Sequence, residues 1–256
     1  MTIPADLQEW MMQLLWPLMR VSGVILVAPV FGSAYVPIRI RALIAIVLTI
    51  VVTPFAREVP AVGALSAAFF FIMLRELVIG LAIGFVLRMV IDAAVVGGQA
   101  LATAMGLHFA TVVDPNQGGT PTLSQFYVIV ATLLLLATDA HLALVELVAN
   151  SFTTLPVAVA AWPATSVWAT VAFAGTMFVG GLQLALPSLA AILMVNVAFG
   201  VVSRAAPTLN LFAVGFPVAM IVGFIVTLIS VQDLFPIWLQ TLEAAFATML
   251  ELGGGA

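Results

Sequence analysis

The chain of 256 residues is 64% hydrophobic and only 7% charged, with a formal net charge of -4. Soluble globular domains carry roughly 25% charged residues, so the composition is that of an integral membrane protein, and the expected fold class is all-α. The absence of cysteine and lysine excludes disulfides, thiolate metal sites, a Walker A loop and Schiff-base chemistry, and seven scattered arginines offer no basic stripe for nucleic acid.

The opening MTIPADLQEW carries Asp6 and Glu9 and no basic residue, unlike a secretory or transit peptide. The first apolar segment, residues 10–30, is therefore expected to be retained; Pro17 and Arg20 interrupt it. Segments 42–53, 61–74 and 77–87 follow, each 11 to 14 residues long, short of the ~20 that cross a bilayer. Arg39 and Arg41 favour a cytoplasmic loop after the first segment.

Residues 106–125 then break the apolar pattern. Gly106 frees the backbone after the preceding helix, Asp114-Pro115-Asn116 is turn chemistry, Gly118-Gly119 is permissive, and Pro121 fixes the return to helix. Between these elements lie Leu107, His108, Phe109, Val112 and Val113. A solvent loop has no use for four bulky apolar side chains, whereas a loop inside a protein-lined cavity has. The bland alternative is an ordinary loop clamped on its own subunit.

Segment 126–149 holds Asp139, His141 and Glu146 between two apolar halves. They read either as a proton relay in an ion-coupled transporter or as a solvated turn between two short helices. The turn is favoured, because a relay wants carboxylates deep in a continuous helix. Segment 167–202 has no charge over 36 residues, about 54 Å of helix against a hydrocarbon core of ~30 Å. It is expected to bend at Gly180, Gly181 and Pro187 or to leave the bilayer. After segment 209–231, Phe235, Trp238, Leu239, Leu242, Phe246, Met249 and Leu250 mark the stripe of an amphipathic helix. Segments this irregular imply helices sheltered by other protein.

Ionisable residues within apolar segments are functional hypotheses by default. Arg75 and Glu76 are adjacent, and Arg88 and Asp92 sit at i, i+4, where they can neutralise one another. Small residues recur at helical spacing in Gly80 and Gly84, in Gly181 and Ala185, and in Gly215, Ala219 and Gly223; each set admits close approach of a helix from the same chain or from a neighbouring subunit. The two histidines, His108 and His141, are not at metal-ligand spacing, and Gly-x-Ser-x-Gly is absent. No active site, metal or cofactor is expected.

Six pieces in order carry a resemblance: RVSGVILVAPVFGSAYVPIRIR from Arg20, RELVIGLAIGF from Arg75, GGQALATAMGLHFATVVDP from Gly97, NSFTTLP from Asn150, GLQLALP from Gly181 and GVVSRAAPTLNLFAVGFP from Gly200. Over nearly its whole length the chain resembles the FliR family, the export-gate subunit of flagellar and virulence type III secretion systems. The resemblance implies tilted, kinked helical hairpins that assemble with FliP-like and FliQ-like subunits into a helical pore complex of the bacterial inner membrane, in a flagellar basal body or injectisome. It further implies FlhB-like and FlhA-like neighbours, unfolded protein substrates, a FliP-like part at 1–165, a FliQ-like hairpin plus amphipathic helix at 166–256, and a 106–125 loop that helps plug the closed pore. Phe109, Val112 and Val113 are the candidates for its seal. One departure is Thr208, where the family pattern has Gln after Pro207.

Overall fold

The computed structural model describes residues 5–33, 36–56, 60, 62–63, 66–107, 122–205 and 211–253, without the side chains of 5–11, 205 and 211–213. These residues form helices only: α1 (Ala5–Val27), α2 (Ile38–Val52) with a 3-10 turn (Thr53–Phe55), α3 (Ala67–Ala104), α4 (Thr122–Ala137), α5 (Ala140–Thr154), α6 (Ala164–Ala205) and α7 (Leu211–Leu252). Four are long and apolar enough to cross a membrane: α2 with its turn, α3, α6 and α7. Helices α4 and α5 pass the same test only together, bent by 62° at their junction. The fold is that of an all-α membrane protein.

Two expectations about segmentation are corrected. Residues 67–74 and segment 77–87 are not two short helices but parts of one, α3, 38 residues long. The Ser66 hydroxyl accepts the Phe69 N–H at 3.2 Å and starts this helix as an N-cap; Arg75 and Glu76 do not stop it, because their charges are compensated within the fold, as described below. The 167–202 segment, expected to bend at Gly180, Gly181 and Pro187 or to leave the bilayer, is continuous helix. It lies in α6, a single helix of 42 residues with Pro187 inside. Proline deletes one backbone bond, while every other peptide group in an apolar medium must stay bonded within its helix, so the helix persists. The second correction concerns the amphipathic stripe, which is no separate helix but the continuation of segment 209–231 in α7, through Pro217 and Pro236. Along it Trp238, Leu242 and Met249 are buried while Phe235 and Leu250 are exposed.

The chain forms two compact units. The first comprises Met1–Met89, Leu135–Ala174 and Glu243–Ala256, the second Val90–Leu134 and Gly175–Leu242. This partition interleaves along the sequence and differs in kind from the expected 1–165 and 166–256 parts, which concern likeness to other subunits.

In the first unit α1 packs on α2 and on the N-terminal half of α3. A Cβ at Gly23 would stand 2.5 Å from the Leu77 carbonyl oxygen, one at Gly80 would meet the Arg20 carbonyl, and one at Gly84 would lie 2.8 Å from the Val24 carbonyl. Only hydrogen side chains allow backbones this close. Trp16, Ile72, Ile79, Ile83, Leu87 and Leu144 fill the core around this crossing. In the second unit Gly97 and Gly181 bring α3 against α6, where a Cβ on Gly97 would lie 2.8 Å from the Gly181 carbonyl. Gly223 of α7 faces Met105 and Ile192, and Ser188 and Thr227 share a buried hydroxyl–hydroxyl bond of 3.0 Å between α6 and α7. Ala185, Gly215 and Ala219 are buried in this unit.

Candidate functional site

Charge in an apolar helix has to find a partner, and three side chains of the first unit solve this together. The Glu76 carboxylate receives the Arg20 Nε–H at 2.7 Å and the Arg75 Nη1–H at 2.6 Å, with Arg20 Nη2 also 2.6 Å from its Oε2. Arg20 and Glu76 are fully buried and Arg75 nearly so. Two cations face one anion, and the remaining compensation comes from the backbone. Arg20 donates from Nη1 to the Ser151 carbonyl at 2.8 Å and to the Ser151 hydroxyl at 3.0 Å, and from Nη2 to the Leu155 carbonyl at 2.9 Å. Those carbonyls belong to the C-terminal end of α5 and its cap residue, where the helix dipole is negative; the Ser151 carbonyl also accepts the Leu155 N–H at 2.9 Å. Arg75 adds a 3.3 Å bond to the Pro156 carbonyl, and the Arg20 guanidinium lies 4.1 Å from the Phe152 ring centre.

The cluster ties α1, α3 and the end of α5 at one point. Sequence reasoning paired Arg75 with Glu76 but treated Arg20 as a mere interruption and Ser151, Leu155 and Pro156 only as part of NSFTTLP. A signal was present: Arg20 has no acidic residue within a helical turn, so its counter-charge had to come from elsewhere in the chain. A planar fork with five donors suits a site offering a carboxylate and two carbonyls.

The other ionisable candidates lie apart from this cluster. Arg88 is exposed and Asp92 half-buried, one helical turn apart on α3. Asp139 occupies the α4–α5 junction with φ 54°, in the left-handed region, and is exposed. His141 is half-buried and Glu146 exposed on α5. Asp139 thus sits in the turn itself, and His141 and Glu146 follow it on α5.

The base of the 106–125 loop is described as far as Leu107. Gly106 takes φ +71°; its N–H bonds to the Thr103 carbonyl and the Leu107 N–H to the Ala102 carbonyl, both at 2.9 Å. This is the Schellman termination of α3, and the left-handed residue at its centre favours glycine. A Cβ at Gly106 would strike the Phe216 ring of α7 in the same unit. The loop's departure is thereby fixed. His108, Phe109, Val112, Val113, Asp114, Pro115, Gly118 and Gly119 lie outside the described residues, as do Pro207 and Thr208. Among the described residues no group of three or more His, Asp or Glu side chains converges on a metal position.

Comparison with known proteins places these features in a family. The profile described as bacterial export proteins, family 1, matches residues 11–245. The flagellar biosynthetic protein FliR of Pectobacterium carotovorum subsp. carotovorum is 33% identical over 232 residues, covering 90% of this chain and 88% of that protein. FliR of Escherichia coli strain K12 is 33% identical over 84% of this chain and 82% of its own length, and FliR of Bacillus subtilis strain 168 is 27% identical over 91% of each. With a profile and full-length relatives agreeing across both units, the chain belongs to the FliR family of bacterial export proteins.

Proposed function

We propose that the protein is a pore-forming component of the flagellar protein export gate in the bacterial inner membrane, acting as a passive conduit subunit. The observation that carries this reading is apolar helix surface in excess of what lipid can cover. Helices α6 and α7 have 42 residues each, about 63 Å at ~1.5 Å per residue against a core of ~30 Å. Their most apolar windows are only 17% and 22% buried, against 56% for α3; Trp168, Met194 and Leu228 are 70%, 73% and 76% exposed. Helix of that length and character needs sister proteins, and FliP-like and FliQ-like subunits, beside FlhB-like and FlhA-like neighbours, are the proposed cover. In this reading residues 1–165 take the FliP-like position and 166–256 the FliQ-like one, while unfolded substrates pass through the shared pore.

The 106–125 loop is proposed as part of the plug. The fixed Schellman turn at Gly106 aims it, and Phe109, Val112 and Val113 exclude water and ions by dewetting. The names carried by the relatives, flagellar biosynthetic proteins, favour a flagellar over an injecting machine. Replacing 107–120 with a Gly/Ser linker in the assembled gate is expected to raise ion leakage while the complex still assembles; unchanged conductance would refute the plug. Purified alone, the chain is expected to aggregate or melt early, and co-expression with its neighbours to rescue it. A monodisperse, stable monomer in detergent would refute the subunit reading.

A further inference from the structure

We infer that the first unit holds a binding site for one anionic phospholipid of the surrounding bilayer, its phosphate on the free edge of Arg75 and one acyl chain in an apolar groove between α1, α3 and α6. The buried charge cluster is complete on one side only. All five N–H donors of Arg20 are occupied, by Glu76, Ser151 and Leu155. Arg75 bonds through Nη1 alone, to Glu76 and to the Pro156 carbonyl; its Nε–H is buried without a partner, and no described residue accepts a bond from its Nη2. Nε–H and Nη2–H lie parallel along one edge of a guanidinium, the fork that receives a carboxylate or a phosphate through two bonds. A buried donor left unmet is costly. The cluster also holds two cations to one anion among the described residues, an excess of one positive charge that a single phosphodiester balances. Arg75 lies directly beneath the surface of the unit, since Leu74, Val78 and Pro156 around it are exposed.

The same surface carries the apolar half of the site. A groove of ≈ 260 Å³ begins one helical turn after Arg75, between Val27 at the end of α1, Val78 and Phe85 of α3, and Val167 and Val171 of α6, with Trp162 beside them. Along α3 it runs for about 10 Å. Val78 follows Arg75 at i+3, so arginine and groove share one face of α3, and a helical side chain leans toward its own N-terminus, which places the guanidinium beyond the groove's end. The segment between α5 and α6 joins the two halves: the carbonyl of its Pro156 is held by Arg75, while its Trp162 lines the groove and donates from Nε1 to the Leu252 carbonyl at 3.4 Å. Tryptophan at the end of a membrane-crossing helix marks the level where headgroups meet acyl chains, and α3 and α6 are both long and apolar enough to cross. A free anion would leave the groove empty, and an apolar helix would leave the charge unmet. An anionic phospholipid satisfies both.

The site rests on residence in a membrane, not on the pore reading, and is tested by binding. The probe is phosphatidylglycerol brominated on its acyl chains, because bromine quenches the fluorescence of a tryptophan it touches. The full chain, purified with its co-expressed neighbours and delipidated in detergent, is titrated with this lipid and with brominated phosphatidylcholine, and the Trp162 signal is taken as the difference between wild type and Trp162→Phe. The expected result is saturable quenching of Trp162 at one lipid per chain, about tenfold tighter for phosphatidylglycerol. Arg75→Lys keeps the charge but loses the fork, and is expected to remove that preference. Val78→Phe fills the groove from an exposed position apart from the charges, and is expected to weaken phosphatidylglycerol binding severalfold without lowering the melting midpoint of the lipid-free protein; should Arg75→Lys fail to fold, Val78→Phe decides. The inference is overturned by equal quenching from the two lipids, by a folded variant of either kind binding phosphatidylglycerol as wild type does, by inorganic phosphate alone raising the melting midpoint as far as the lipid does, or by a neighbouring subunit's carboxylate seated on Arg75 in the assembled complex.

Discussion

Replacing Arg20 with alanine removes the side chain on which three helices converge. It withdraws four hydrogen bonds of 2.7 to 3.0 Å, to Glu76, to the Ser151 carbonyl and hydroxyl, and to the Leu155 carbonyl. Glu76 is left with Arg75 alone, and the Leu155 carbonyl loses its donor. Breaking a buried ion pair from one side costs about 3–5 kcal/mol. A carbonyl left unpaired, as at Leu155, costs about 1–3 kcal/mol, but this loss overlaps with the first because the same guanidinium serves both. An overall loss of about 3–5 kcal/mol is a large fraction of the ~5–15 kcal/mol that holds a typical fold. At roughly 2–4 °C per kcal/mol for a chain of this size, the melting midpoint should fall by about 6–20 °C. The assay is thermal unfolding of the purified complex followed by tryptophan fluorescence, for which Trp16, fully buried one helical turn before Arg20, is a local reporter. Two further variants separate charge from packing. Arg20→Lys keeps the charge but loses the fork and should fall in between. Replacing Arg20, Arg75 and Glu76 all by methionine removes every charge of the cluster and should cost less than Arg20→Ala alone, since apolar replacement of a whole buried cluster is often near neutral. An Arg20→Ala midpoint within about 2 °C of wild type, or a triple variant as damaged as the single, would refute the reasoning.

Gly80→Ala, whose Cβ would meet the Arg20 carbonyl, should cost about 1–3 kcal/mol through forced backbone displacement and should abolish motility when it replaces the native gene. Gly175 and Gly200, which have nothing within 4 Å of an added Cβ, serve as the control: alanine there should be neutral or stabilising by up to ~1 kcal/mol through helix propensity, read by the same melting assay. Gly106→Ala meets both a positive φ and the Phe216 ring; lowered stability and raised ion leakage are expected, and a variant normal in both would show that the loop's departure is not fixed at this turn. Ser188→Ala leaves Thr227 without its hydroxyl partner and should cost only about 0.6–1.7 kcal/mol, as polar contacts between membrane helices do.

Composition and pattern decided that the chain is helical and embedded in a membrane, because backbone in lipid satisfies its polar groups only in helices or closed barrels, and the long apolar runs of this chain lack the alternation of barrel strands. The turn at Asp139 and the stop at Gly106 were also legible, since left-handed backbone and helix termination are local properties of a few residues. Helix lengths were not. Counting uninterrupted apolar residues split α3 at Arg75 and Glu76 and detached the end of α7, because a linear count treats every charge and proline as a break. Tertiary structure reverses that judgement. Glu76, already paired with its neighbour Arg75, takes a second counter-charge from Arg20, 56 positions away, and Arg75 gains a carbonyl acceptor 81 positions away in Pro156; no window along the sequence contains both ends of such a bond. Gly80 and Gly84 likewise announced a close helix contact by their spacing, but only the fold revealed that α1 is the helix received. Local chemistry is written in order along the chain; compensation of buried charge is long-range, and three-dimensional packing alone brings its partners within reach.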